Sequence, residues 1–332
     1  MQFTNEELKQ KIDELKARLS VTVVAHFYQR DEVFEVGDIT GDSLELATKT
    51  RDDDAEFVLF CGVGFMGQSV KVLSPDKRVV MPKIACCAMA SMINGVQYDE
   101  AVKALNEVGI DSENILPITY INSDAEVKAR VGEMGGMVCT SSNAKTIITT
   151  ALKEGKKILF VPDRCLGQNI ANQMGLKSAV IGIDENISDA DIICYDGFCS
   201  VHQLFSVDDI EFYRKKYPDI LIAVHPECDP AICDASDFVG STSQLIKYIK
   251  ALDPEQKVAV GTEFNMVNRL RPKNTYVLSS TKPECPTMNE TTLQDVYETL
   301  KAIDEGEPIN EIQVDEKTQK WAKIALERMM AL

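Results

Sequence analysis

Short apolar runs bounded by turn-forming residues alternate with segments of helical period along almost the whole chain. The runs read as strands: VTVVAHFY, EFVLFCGV and KRVVMP first, then NILPITYIN, GGMVCTSS, KKILFVPD and DIICYD, and finally ILIAVHPE, DFVGST, KVAVGTE and TYVLSS. Segments such as MGQSVKVLS, NAKTIITTALKEG and TSQLIKYIKAL carry helical spacing between them. Strand–helix alternation with near-continuous apolar strands predicts parallel sheets covered on both faces. The opening segment, MQFTNEELKQKIDELKARL, predicts a charged amphipathic helix with Thr4 and Glu7 spaced as a capping box.

Laid side by side, the runs fall into three similar units. Their first strands end in polar pairs: His26 and Tyr28, Tyr120 and Asn122, His225 and Glu227. The second strand of each runs through a Gly/Ser/Thr turn into a helix, as in CGVGFMGQS, CTSSNAKT and VGSTSQL. Each unit closes with a strand leading to a cysteine and a new helix, in ACCAMASM, DGFCSVHQLF and PECPTMNETTL. The expected fold is therefore α/β: three similar parallel-sheet sandwich lobes around a pseudo-threefold axis, with a central active site at the carboxyl ends of the strands. The first lobe spans 1–87 with the N-terminal helix, the second 88–198 and the third 199–284; a helical segment, 285–332, follows the last cysteine. The first unit reads as the shorter one, lacking a strand–helix pair.

Charge and composition narrow the function. A formal charge of −17 disfavours nucleic acid and anionic membrane surfaces as partners. No apolar run approaches the roughly 20 residues that span a bilayer, and the N-terminal segment does not resemble a signal peptide. A cytoplasmic protein is expected. In that compartment ten scattered cysteines are not expected to form a disulfide framework.

Three cysteines occupy matching places, at a strand mouth before a helix, where a helix N-terminus favours the thiolate. Cys199 and Cys285 are unambiguous. In the first unit Cys87 fits better than Cys86, because CAM matches CSV in placing an apolar residue two positions on; Cys86 is expected to pack elsewhere. Three thiolates can hold zinc, with a fourth ligand or water, or a four-iron cluster whose remaining iron keeps an exchangeable position. His202, three residues after Cys199, could instead complete a closed site. The surrounding polar residues favour an open one. All three histidines, His26, His202 and His225, lie beside the expected centre. The turns Gly41–Asp42–Ser43, Thr140–Ser141–Ser142 and Gly240–Ser241–Thr242 offer hydroxyls and backbone N–H groups for a carboxylate or phosphate, although Ser and Thr are also ordinary helix caps. No dinucleotide or nucleoside-triphosphate loop is present.

Taken in order, HFYQ, GDSLELA, YINS, CTSSNA, HPEC, VGST, VGTE and the three cysteine segments resemble the quinolinate synthase family of de novo NAD biosynthesis, from about residue 20 to about residue 295. The resemblance implies an oxygen-sensitive [4Fe-4S] cluster held by Cys87, Cys199 and Cys285. It implies condensation of iminoaspartate with dihydroxyacetone phosphate to quinolinate, with loss of phosphate and two waters. An L-aspartate oxidase or dehydrogenase supplying iminoaspartate is the implied metabolic partner. His26, Ser43, Ser141, Ser241 and Thr242 would bind substrate anions, and Tyr120 and Asn122 would close over the substrate. Tyr28 and Glu227 would move protons, and His225 would orient or polarise the substrate. Two positions depart from the family pattern: Cys285 has no neighbouring cysteines, and Phe27 stands where many relatives carry Asn. The alternatives are another [4Fe-4S] hydro-lyase, or an iron–sulfur electron carrier or sensor built on the C-x4-C pairs Cys194/Cys199 and Cys228/Cys233. A carrier would want a closed four-cysteine site and no anion pocket.

Overall fold

The computed structural model describes residues 3–270 and 273–332. The chain divides into two compact units, one comprising residues up to Cys87 with Glu284–Glu316, the other Ala88–Pro283 with Lys317–Leu332.

The first unit begins with α1 (Asn5–Lys16). The Thr4–Glu7 capping box is formed, and Leu8, Ile12 and Leu15 make the buried stripe. There follow β1 (Val21–His26), α2 (Asp31–Phe34), β2 (Ile39–Gly41), α3 (Ser43–Arg51), β3 (Phe57–Cys61), α4 (Gly64–Leu73) and β4 (Arg78–Val80), with α13 (Leu293–Asp304) from late in the chain. The strands form a parallel sheet in the order β2-β1-β3-β4. All six residues of β1 are buried, because α1 and α13 pack their apolar faces into the same core as Val23, Ala25 and Leu59.

The second unit holds two sheets. The first is built from α5 (Gly95–Glu107), β5 (Ile115–Tyr120), α6 (Ala125–Glu133), β6 (Met137–Cys139), α7 (Ala144–Leu152), β7 (Lys157–Val161), α8 (Arg164–Met174), β8 (Ser178–Val180) and β9 (Ile192–Cys194), with strand order β6-β5-β7-β9-β8. The second is built from α9 (Val207–Lys216), β10 (Leu221–Val224), α10 (Pro230–Asp234), β11 (Phe238–Val239), α11 (Thr242–Ala251), β12 (Val258–Gly261), α12 (Phe264–Leu270) and β13 (Thr275–Val277), with order β11-β10-β12-β13. A last helix, α14 (Glu316–Met330), ends the chain.

The fold is thus α/β with three parallel sheets, as expected, but the repeat is more regular than the apolar runs suggested. The first sheet is not short of a strand relative to the third. Its second strand is β2, a three-residue stretch, ITG, with too little apolar character to stand out. The middle sheet instead carries an added edge strand, β8, and β9 takes the place beside β7 that β4 and β13 take beside β3 and β12. This changes which turns correspond. The partner of Thr140–Ser142 and Gly240–Thr242 is Gly41–Ser43 after β2, not the CGVGFMGQS turn after β3.

The cysteine segments match in detail. The N–H of the first residue of α4, α8 and α12 donates to the carbonyl of Ala85, Gly197 and Pro283, at 2.8, 2.8 and 2.9 Å. Each carbonyl lies two residues before Cys87, Cys199 or Cys285. Each of these cysteines lies three residues before a one-turn 3₁₀ helix (Ala90–Met92, His202–Leu204, Met288–Glu290). Each also lies seven before the capping residue of the next α-helix, Asn94, Ser206 or Thr292. The helix expected directly after each cysteine is therefore only a single 3₁₀ turn, and the full α-helix begins further on.

Candidate active site

In the second unit, the carboxyl ends of β5 and β10 bring together groups far apart in sequence. Tyr120 ends β5, and its hydroxyl donates to Glu227 Oε1 at 2.6 Å. Glu227 follows β10 and is 4% exposed. His202 places Nδ1 3.1 Å from Glu227 Oε2, yet without the alignment of a hydrogen bond, so Nδ1 has no such partner among the described residues. Its Nε2 lies 3.1 Å from Thr262 Oγ1. The His202 and His225 rings stack at 4.7 Å and 24°. The Glu227 backbone N–H donates to His225 Nδ1 at 3.3 Å, so the neutral His225 ring carries its proton on Nε2. Cys199 completes the group: ligand atoms of Cys199, His202 and Glu227 all lie within 4.8 Å of one another.

Two buried carboxyls in this unit are driven apart. Burial alone pushes Glu227 up, but the adjacent His225 and His202 imidazoles and the hydrogen bond from Tyr120 outweigh it and hold the group down to about 2. Asp163 follows β7 and is fully buried; burial first, and then the Glu227 charge, push it well above the usual carboxylate range. Its Oδ1 accepts from the Leu166 N–H, while Oδ2 has no hydrogen-bond partner among the described residues. The two carboxyls are thus pushed in opposite directions, an arrangement that separates acid from base in many active sites.

The loop carrying Cys199 is tied to the end of β7. Gly197 donates to the Pro162 carbonyl at 3.0 Å, and a Cβ at Gly197 would meet that oxygen at 2.5 Å. Only glycine allows this approach. Arg164 then covers the Phe198 ring, 4.7 Å from its centroid.

The hydroxyl turns also meet in this unit. Ser142 Oγ donates to Ser241 Oγ at 2.9 Å, joining the two turns. Ser241 additionally caps α11 by accepting from the Gln244 N–H. Ser141 is half-buried and Thr242 buried beside this link, and Asn122 is half-buried just beyond Tyr120.

In the first unit His26 ends β1 opposite Gly41 of β2, two residues before Ser43. The Tyr28 N–H donates to His26 Nδ1 at 3.1 Å, the same device as in His225 and Glu227, and the two rings meet edge-on at 4.9 Å. Asp42, not Ser43, caps α3. Phe27 stacks on Phe34 of α2.

Cys87, Cys199 and Cys285 are each half-buried. Cys86 is exposed, not packed as expected. The other six are sealed in cores; burial pushes the Cys61, Cys139, Cys194 and Cys228 thiols up, and Cys165 and Cys233 up to about 12. Cys228 and Cys233 direct their sulfurs at the Gly261 and Cys228 carbonyls, the contacts of packed thiols.

Sequence reasoning missed Asp163 and Thr262 and ranked His202 low. Asp163 and Glu263 stand at matching places, both fully buried after the third strand of their sheets, each accepting an N–H three residues on. Aligning VPD with VGTE would have found them.

A carboxylate, two imidazoles, a phenol and a thiol gathered at the strand ends of a parallel α/β fold are the groups of an enzyme active site. The comparisons make this specific. The family model described as Quinolinate synthetase A protein matches residues 10–331. A quinolinate synthase of Helicobacter pylori (strain HPAG1) is 54% identical over 99% of both chains. One from Streptomyces coelicolor is 41% identical over 94% of this chain and 84% of its own, and one from Bacillus pumilus 38% over 98% and 93%. The chain belongs to the quinolinate synthetase A family. Among the described residues no helix is long and apolar enough to cross a membrane.

Proposed function

We propose that this chain is a quinolinate synthase that condenses iminoaspartate with dihydroxyacetone phosphate, releasing phosphate and two waters. The observation that carries the reading is the buried Glu227, held ionised between Tyr120, His202 and His225. A condensation with isomerisation and dehydration needs a base that takes a proton and returns it, and Glu227 is the group placed to do so. Tyr120 O–H supplies a proton donor to the same carboxylate, and the Nε2–H of neutral His225 is a donor for a substrate carbonyl or carboxylate. Asp163, whose carboxyl burial pushes upward, is the second carboxyl available for proton transfer. In this reading Ser141, Ser241 and Thr242, with His26 and Ser43, take the carboxylates and the phosphate. Tyr28 assists proton transfer, and Asn122 closes over the substrate with Tyr120.

Cys87, Cys199 and Cys285 would hold the [4Fe-4S] cluster. Thiolates are the donors such a cluster requires, and these three stand at one repeated place in the fold while six others are sealed in cores. When bound, the cluster supplies a Lewis-acidic iron free of a protein thiolate. A cytoplasmic setting, and an L-aspartate oxidase or dehydrogenase that supplies the unstable iminoaspartate, belong to the same reading.

The test is quinolinate formation, measured by mass spectrometry, with protein purified and reconstituted without oxygen. Wild type should form quinolinate, and Glu227→Gln should keep its iron while losing roughly 10²- to 10⁴-fold in turnover. A Glu227→Gln protein with near-normal rates would remove the residue from the chemistry.

A further inference from the structure

We propose that Cys199, His202 and Glu227 also form a mononuclear site for a zinc-like divalent transition metal, filled when the chain carries no cluster. The site lies wholly within the second unit and stands whether or not the quinolinate reading holds.

The donor set is a thiol, an imidazole and a carboxylate, with Cys199 and His202 in C-x2-H spacing. Ligands on a tetrahedral zinc sit about 3.5 Å from one another, from bond lengths of about 2.0–2.3 Å. Here His202 Nδ1 and Glu227 Oε2 are 3.1 Å apart, and the whole set lies within 4.8 Å. Side-chain adjustment of about 1 Å would close it on one ion.

The surrounding contacts are those of ligands already oriented. His202 is 1% exposed, and its Nδ1 makes no hydrogen bond among the described residues. Its Nε2 lies 3.1 Å from Thr262 Oγ1; in the tautomer that donates to this hydroxyl, the Nδ1 lone pair is the one offered to a metal beside Glu227 Oε2. Glu227 is held by the Tyr120 hydroxyl through Oε1, which leaves Oε2 beside His202. Second contacts of this kind fix tautomer and orientation at metal-ligating groups. Three protein ligands leave a fourth position for water, as in open zinc sites. Such mixed S, N and O sites bind zinc more tightly than ferrous iron. A zinc ion here would occupy Cys199 and hinder cluster assembly.

The experiment is titration of the full-length, reduced, cluster-free protein with Co²⁺ under anaerobic conditions. One Co²⁺ per chain is expected, with a sulfur-to-cobalt charge-transfer band and the intense visible bands of a tetrahedral ion. Cys199→Ala should abolish the charge-transfer band. His202→Gln and Glu227→Gln should each weaken binding by tenfold or more, and the milder Thr262→Val by about tenfold. Cys87→Ala and Cys285→Ala should bind as wild type does. Circular dichroism on each variant establishes that it is folded. A folded wild type with no band, or a band lost in Cys87→Ala or Cys285→Ala, overturns the proposal. Failure to form quinolinate in the separate assay leaves this result untouched.

Discussion

Cys86 and Cys87 differ by one place in the chain, yet the structure treats them differently. The α4 N–H reaches the Ala85 carbonyl, two residues before Cys87, as the α8 and α12 N–H groups do before Cys199 and Cys285. Cys86→Ser should therefore keep iron content and quinolinate formation near wild type, while Cys87→Ser loses both; the reverse would mean that the first lobe is out of register. Lys128 of α6 supports a second prediction. It is fully buried and donates to the Ser123 carbonyl, in the loop after Tyr120. Burial pushes its ammonium down to about 7, only partly offset by Asp124, from 10.5 in an exposed chain. Between about pH 7 and 10.5 the unfolded chain binds more protons here, so this group makes stability rise with pH. Lys128→Met removes that slope. Its stability gain over wild type, read from urea midpoints, should be largest near pH 7 and shrink toward pH 10; a constant difference would show that Lys128 does not titrate in this window. Candidate residues at strand ends were legible because a parallel sheet delivers its carboxyl ends to one place. His202 was undervalued because its role depends on meeting Glu227 and Thr262, which spacing along the chain does not reveal.

At the scale of elements, buried parallel strands such as β1 and β5 were legible as continuous apolar runs. β2 and β8 were not. Each is a three-residue edge strand, ITG or SAV, held by pairing on one side only. Missing β2 misaligned the first hydroxyl turn, an error that the register of His26 on Gly41 corrects. The docking of α14 was equally invisible, because it depends on a small residue in another helix. Gly132 of α6 lets the Trp321 carbonyl approach so closely that an added Cβ would sit 2.2 Å from it. Arg328 then donates to the Gly132 and Gly136 carbonyls at 3.1 and 2.8 Å. Gly132→Ala should cost about 1–3 kcal/mol through overpacking and speed proteolytic removal of residues 317–332. Unchanged cleavage would show that α14 adapts without loss.

For the whole molecule, three sheets repeat one scheme in which a first strand ends in a polar pair, a second feeds a hydroxyl turn, and a final segment presents a cysteine. The net charge of −17 disfavours nucleic acid as a partner. The central claim is that the three repeated cysteines together hold one four-iron cluster. Iron and acid-labile sulfide per chain, measured on protein purified without oxygen, test it most directly. About four of each is expected in wild type, with loss in each of Cys87→Ser, Cys199→Ser and Cys285→Ser. Wild-type protein that takes up little iron after careful reconstitution, or a full cluster in any of the three variants, would contradict it.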